Sequence, residues 1–269
     1  MHSLRSFDRI EDRIRQHRQV ENRPVILLEG PDDQLVLRDY VSEDLLFPAD
    51  GKTNALRAVD ALRAWGVSGI RAIVDADFDD DEEDTQVINY EFRDLEGMLI
   101  SFGALTIVLD HQGSREKLAA RGGAEVVSRM IRDLTQPIAR LRHENRRQGW
   151  GLRFDEVDLT SKVDRKTLLL DEKRYAAALV QASETDVTEI EVREVMSEGD
   201  VDDRGPRGRD MAALAGVALR HFVGSLEKAA CEESVVSNQV RFAGSRALEQ
   251  SAWLARLLLE IRVAISEID

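Results

Sequence analysis

The chain has 269 residues, 43% of them hydrophobic, enough to bury the core of one large domain or two modest ones, so disorder is not the default reading. No apolar run approaches the roughly 20 residues needed to cross a bilayer, and the charged opening MHSLRSFDRIEDRIRQHR has no signal-peptide core, so a soluble, cytoplasmic protein without a membrane partner is expected. The net charge of −14 argues against a protein that coats nucleic acid nonspecifically, and the single Cys231 excludes a disulfide framework or a multi-cysteine zinc site.

Leu4, Phe7, Ile10 and Ile14 are three or four apart and predict a short amphipathic helix that ends at Pro24. VILLEG, Val25 to Gly30, is an aliphatic run closed by glycine, the pattern of a strand buried on both faces of a parallel sheet. Helical spacing of Leu35, Leu37, Tyr40 and Val41 follows, with Pro31 suited to a first turn. A second strand, LLFPAD, precedes a helix from Thr53 to Trp65, and IRAIVDAD is a third strand. Two strand–helix units and a further strand predict right-handed crossovers and an α/β fold, a parallel sheet with helices on both faces. Functional groups of such sheets gather beyond the carboxyl ends of the strands. Glu29 follows one strand there, and Asp75 and Asp77 end another.

TQVINYEFRDLEGMLISFG predicts an extended stretch and then a helix from near Asp94. From Arg115 the chain reads as mainly helical: one long helix to about Arg142, interrupted near Arg121 to Gly123 and at Pro137, then LRFDEVDL as a strand. Helices over 171–182 and 188–197, a loop over 199–209, and helices over 211–222 and 246–265 complete it. The expected organisation is an N-terminal helix (1–22), an α/β domain (23–110) and a mainly helical region (111–269), with the boundary between about 103 and 114. In SAWLARLLLEIRVAI, the residues Trp253, Leu254, Leu257, Leu258, Ile261 and Ile265 form a stripe suited first to core packing and second to a homodimer seam.

Charge is segregated along the chain. DADFDDDEED, Asp75 to Asp84, holds eight acids in ten residues, while arginines cluster in ARLRHENRRQGWGLR and in RGPRGR. An anionic loop beside cationic patches suits a metal-dependent enzyme acting on polyanions; the alternative is a solvated loop with ordinary surface arginines. Aspartates two apart on an extended segment can turn their carboxylates toward one hard ion, such as Mg2+ or Mn2+, or toward adjacent ions. Glu29 is then a ligand or an acid–base group, Gly30 permits close backbone approach, and Asp33 is a further ligand or a helix-start residue favoured by the dipole. Within the acidic run after Asp77 only Asp79 is a candidate ligand. A calcium loop is not expected, because Asp80 stands where glycine is needed and Gln86 where the bidentate glutamate belongs. The five histidines show no metal-ligand spacing, and no Walker loop is present.

The EGxxD of Glu29, Gly30 and Asp33, followed by the DxD of Asp75 and Asp77, resembles the TOPRIM domain shared by topoisomerases, bacterial primases and OLD-type nucleases, over about residues 24 to 105. YEFRDLEGMLI and the helical remainder are similar to a bacterial family of stand-alone TOPRIM-like proteins that includes the nuclease effector of PARIS-type anti-phage systems. The resemblance implies a Rossmann-like TOPRIM sheet with a helical extension and a Mg2+- or Mn2+-dependent endonuclease that hydrolyses phosphodiester bonds in DNA or RNA, tRNA included. Glu29, Asp75 and Asp77 would be catalytic, and Glu29, Asp33, Asp75, Asp77, Asp79 and Glu96 would hold metal. It further implies a toxic effector controlled by an ABC/SMC-like ATPase, necessarily a separate chain. Arg140, Arg142, Arg146, Arg147, Arg153, Arg207 and Arg209 are the expected nucleic-acid contacts, and Lys52, Lys162, Arg207 and Arg209 are candidates for a cation at the scissile phosphate. Two alternatives stay open: an inactive TOPRIM module that binds metal and a partner, and a HAD-like small-molecule phosphatase suggested by the DxD.

Overall fold

Strand β1 (Val25–Leu28) is buried at every position, as its unbroken aliphatic run requires. It pairs in parallel with β2 (Leu46–Pro48) on one side and β3 (Ile70–Val74) on the other, and β3 pairs in parallel with β4 (Val87–Asn89), giving the order β2-β1-β3-β4. The computed structural model describes residues 9–78, 84–199 and 203–268. It divides into two compact units: Met1–Ala76, Asp81–Glu91 and Leu248–Asp269 form the first, and Asp77–Asp80 with Phe92–Ala247 the second. The units are not successive stretches of chain, so the division falls elsewhere than the boundary read between about 103 and 114.

The first unit is the α/β layer. From β1 the chain crosses through α2 (Pro31–Leu37) to β2, then returns through α3 (Lys52–Ala64) to β3. The two crossovers step in opposite directions, so right-handed connections put α2 and α3 on opposite faces of the sheet. On one face Val25 and Leu27 of β1 and Ile70, Ala72 and Val74 of β3 pack with Ile10 and Ile14 of α1 (Ile10–Val20) and with Ala55, Ala58, Val59 and Leu62 of α3. The other face carries an arginine. Arg71, opposite Ile26 in the β1–β3 register, is 3% exposed. Its guanidinium donates to Glu267 at 2.8 and 3.1 Å and to Glu260 at 3.2 Å.

Those glutamates belong to the C-terminal helix α12 (Ala252–Ser266) and its cap residue Glu267. At the opposite end of α12, Trp253 Nε1 donates to the Asn89 carbonyl at 2.9 Å. Asn89 closes β4 and Arg71 lies near the start of β3, so α12 runs antiparallel to the strands. Trp253, Leu254, Leu257, Ile261 and Ala264 are buried, which settles most of the apolar stripe as core, while Leu258 and Ile265 are exposed.

The second unit is helical: α4 (Leu95–Ser101), α5 (Ala104–Gln112), α6 (Arg115–Ala120), α7 (Ala124–Gln148), α8 (Glu172–Ala182), α9 (Glu189–Glu198), α10 (Gly208–Val217) and α11 (Glu233–Leu248), the last entering the first unit at Leu248. Residues 165–168 join the short antiparallel strands β5 (Val163–Asp164) and β6 (Leu169–Leu170). Ile138 and Leu141 of α7, Tyr175, Ala176 and Leu179 of α8, and Val192 and Met196 of α9 form one core cluster. The expected break at 121–123 is present, but α7 continues through Pro137, because Leu134, Ile138 and Leu141 are buried on one side and packing outweighs the lost N–H. LRFDEVDL contains a 3-10 turn over Phe154–Glu156 and the start of another, not a strand. The helix read over 246–265 is the end of α11 and then α12, separated where Ser251 caps α12 by accepting from the Leu254 amide at 3.1 Å.

Replacing Arg71 by methionine fills similar volume but strands the two glutamates. With Glu260 and Glu267 side chains 41% and 37% exposed, the loss is reduced by solvent, and urea unfolding should show about 2 kcal/mol of destabilisation. Arg71 hydrogen bonding holds the Glu267 carboxyl below the usual glutamate range, so its contribution is complete above that range and disappears as pH falls through the lowered value. That acid-side loss should be smaller in Arg71→Met.

Candidate functional site

Glu29 and Asp75 leave neighbouring parallel strands at the same edge. The Leu28–Ile73 pairing brings the two strand ends together, and the Asp75 amide donates to Glu29 Oε1 at 2.7 Å. Gly51, with φ of +114°, lets the β2–α3 turn come close enough for its amide to donate to the Glu29 carbonyl at 2.7 Å. Lys52, the next residue and first of α3, is therefore the cation candidate that stands at this edge.

Asp33 is buried. Its Oδ2 accepts the Gly30 amide at 2.9 Å and its Oδ1 accepts the Tyr90 hydroxyl at 2.6 Å. The first bond is a helix cap: Gly30 opens α2 in extended backbone and Asp33 occupies the third helical position. Asp33 thus stands at the helix start, where the dipole favours it, and also closes the cap.

The remaining acids of the motif belong to the second unit. Asp77 has φ of +48°, a left-handed conformation that aspartate tolerates better than most side chains and that tends to occur at functional sites. Arg93 holds it there: the Asp77 amide donates to the Arg93 carbonyl at 3.2 Å, and Arg93 Nη1 donates to the Asp77 carbonyl. The Arg93 guanidinium also lies 4.2 Å from the Phe78 ring centroid and donates through Nε to the Gly205 carbonyl at 3.2 Å. Asp79 lies outside the described residues.

Asp94 caps α4 through the Gly97 amide at 2.7 Å and also accepts the Gly208 amide, the first of α10, at 2.9 and 3.0 Å. Burial, and then the Glu96 carboxylate, push Asp94 up to about 6 against these donors. Glu96 is buried and ion-paired with Arg241 of α11. As a metal ligand it would have to share its carboxylate with that guanidinium.

The arginines separate into two groups. Arg140 donates to the Met196 carbonyl at 3.0 Å, and Arg142 forms a two-point pair with Asp210 at 3.1 and 3.2 Å while lying 4.3 Å from the Phe154 ring centroid. Both tie α7 to its neighbours, on the side of α7 turned toward α9 and α10. Arg146 and Arg147 are exposed, with Arg147 on Glu144 at 2.7 Å, and Arg153 reaches Glu184 at 3.5 Å. Arg207 is the residue before α10 and Arg209 is exposed within its first turn. Lys162 bonds Ser161 at 3.2 Å in a 3-10 turn.

Sequence reasoning passed over Tyr90, Arg93, Arg241 and Gly208, and left Asp94 as a helix-start acid without its second partner. Among the described residues no three carboxylate, histidine or cysteine side chains are gathered to hold a metal ion. The half-buried carboxylates of Glu29 and Asp75 are nevertheless hard oxygen donors of the kind Mg2+ or Mn2+ takes. No family model, curated protein or solved structure matches the chain. No described helix is long and apolar enough to cross a membrane.

Two outcomes follow from the Asp94 junction. A Cβ on Gly208 would lie 2.3 Å from the Gly97 nitrogen and 2.4 Å from the Glu96 Cβ, so Gly208→Ala should destabilise by roughly 3 kcal/mol, read by thermal or urea unfolding. Because folded Asp94 keeps its proton to higher pH than an unfolded aspartate, its ionisation lowers stability as pH rises from the ordinary aspartate range to about 6. In Asp94→Asn that segment of the stability–pH profile should be flatter.

Proposed function

We propose that the chain is a metal-dependent endonuclease of TOPRIM type, hydrolysing phosphodiester bonds in nucleic acid. The observation that carries this reading is the pairing of Glu29 with the Asp75 backbone beyond the carboxyl ends of β1 and β3, which aims one carboxylate and sets a second beside it. Mg2+ or Mn2+, when bound, supplies neutralisation of the phosphate and acidification of water. Glu29, Asp33 and Asp75 are the ligands offered by the first unit, and Asp77 follows two residues later in the chain. Glu29 orients the attacking water and accepts its proton as the new P–O bond forms; the leaving oxygen takes a proton from solvent. Lys52 is the cation best placed in this unit to meet the phosphate. The resemblance to effectors of anti-phage systems adds the proposal that an ABC/SMC-like ATPase restrains the activity.

A second reading, a TOPRIM module without turnover that serves a partner, is favoured by one observation: Glu96 is engaged by Arg241. Activity decides between them. With plasmid, tRNA and single-stranded substrates and Mg2+ or Mn2+, Glu29→Gln should lower cleavage by about 10²–10⁴-fold without changing the melting profile. The Asp75→Asn, Asp77→Asn double variant should lose the divalent-ion isotherm in titration calorimetry. A folded Glu29→Gln protein that cleaves like the parent would sink the nuclease reading, and a parent that binds metal without cleaving any substrate favours the module.

A further inference from the structure

Two of the bonds to Asp33 differ in reach: one is local and the other is not. The Gly30 amide on Oδ2 is a cap closed within three residues, and it accounts for the start of α2 without help. The Tyr90 hydroxyl on Oδ1 comes from 57 residues away, at 2.6 Å. Tyr90 follows β4 directly and is 1% exposed, so its hydroxyl needs an acceptor inside the fold. Its ring is fixed by the C-terminal helix: the Trp253 indole stacks on it with centroids 5.1 Å apart and planes at 30°. The same indole is fastened by its N–H to the Asn89 carbonyl, one residue before Tyr90, at 2.9 Å. At its far end α12 is held by Glu267, which accepts from Arg71 at 2.8 Å and from the Gly69 amide at 3.1 Å. A helix fastened at both ends thus clamps a tyrosine whose hydroxyl sets the direction of one carboxylate of the EGxxD motif.

We infer that Tyr90 is a positioning residue for Asp33, and that α12, through Trp253, belongs to the apparatus that presents this carboxylate to a divalent cation. The inference rests on the metal-dependent reading of the strand-end acids. Carboxylates that ligate metals are commonly oriented by an outer hydrogen bond, and removing such a bond typically weakens metal affinity by about 10–100-fold. If the hydroxyl were only a buried donor that found an acceptor, its removal would leave metal affinity where it was.

Mn2+ titration of the full-length protein, followed by electron paramagnetic resonance, separates the two. Tyr90→Phe keeps the ring and its stacking, and should weaken Mn2+ binding by about 10–100-fold while keeping the parent's circular dichroism and melting profile. Because Tyr90 acts through Asp33, the Tyr90→Phe, Asp33→Asn double variant should bind no more weakly than Asp33→Asn alone. Trp253→Phe keeps an aromatic ring but loses the bond to Asn89, and should weaken binding in the same direction by less. Parent-like affinity in folded Tyr90→Phe, or losses that multiply in the double variant, would overturn the inference and leave the metal site standing. Should Tyr90→Phe fail to fold, Trp253→Phe decides: parent-like affinity in that folded variant overturns the inference. A parent protein that binds no Mn2+ overturns the metal-dependent reading itself and the inference with it.

Discussion

A carboxylate that leaves the end of a fully buried parallel strand has to find a donor or a cation within a few ångströms, and Glu29 finds the Asp75 amide at 2.7 Å. That bond depends on register. With Leu28 opposite Ile73, the residues that follow the two strands emerge side by side; a slip of one residue would turn every β1 side chain to the other face. Such a slip would exchange Val25 and Leu27 with Ile26 and Leu28, and Arg71 would no longer face Ile26. The register that buries the core is therefore the register that makes the edge.

The opposite face of the sheet poses a harder problem, because Arg71, opposite Ile26, is buried there. Its charge is accommodated only because α12 brings Glu260 and Glu267 to it, so the C-terminal helix is required by a strand nearly two hundred residues earlier in the chain. The direction of α12 then follows: its acidic end lies at the start of β3 and its tryptophan end at the close of β4. The helix that neutralises Arg71 is thereby also the helix whose first turn meets Tyr90.

What could be read from the sequence is what local physics determines. β1, β2 and β3 were legible as short apolar runs closed by glycine, proline or acid. The starts near Asp94, Asp171 and Thr188 were legible because each side chain caps its own helix, accepting from the amides of Gly97, Arg174 and Glu191. Long-range partners were not legible. Nothing in IRAIVDAD says that its arginine points inward, and nothing near Asp33 announces a hydroxyl 57 residues away. The partners of Arg140 and Arg142 on α9 and α10 were not legible either, because composition does not record which side of a helix meets its neighbours. Pro137 read as a break because propensity does not weigh the buried residues around it.

The acids of this chain also differ in how the fold holds them, and the difference bears on chemistry. Glu96, Asp210 and Glu267 are each paired with an arginine from another element, an arrangement that cancels charge and staples structure. Asp33, Asp94 and Glu29 each accept from at least one neutral N–H or O–H group, and such a bond fixes the direction of a carboxylate. Asp94 shows how far such donors go: with the Gly97 and Gly208 amides on it, burial beside Glu96 still pushes its carboxyl up to about 6. Neutral donors therefore aim a carboxylate without making its charge easy to hold. At the strand edge the Asp75 amide aims Glu29 in this way, and the divalent cation proposed there is a ligand that takes oxygen donors in a fixed geometry.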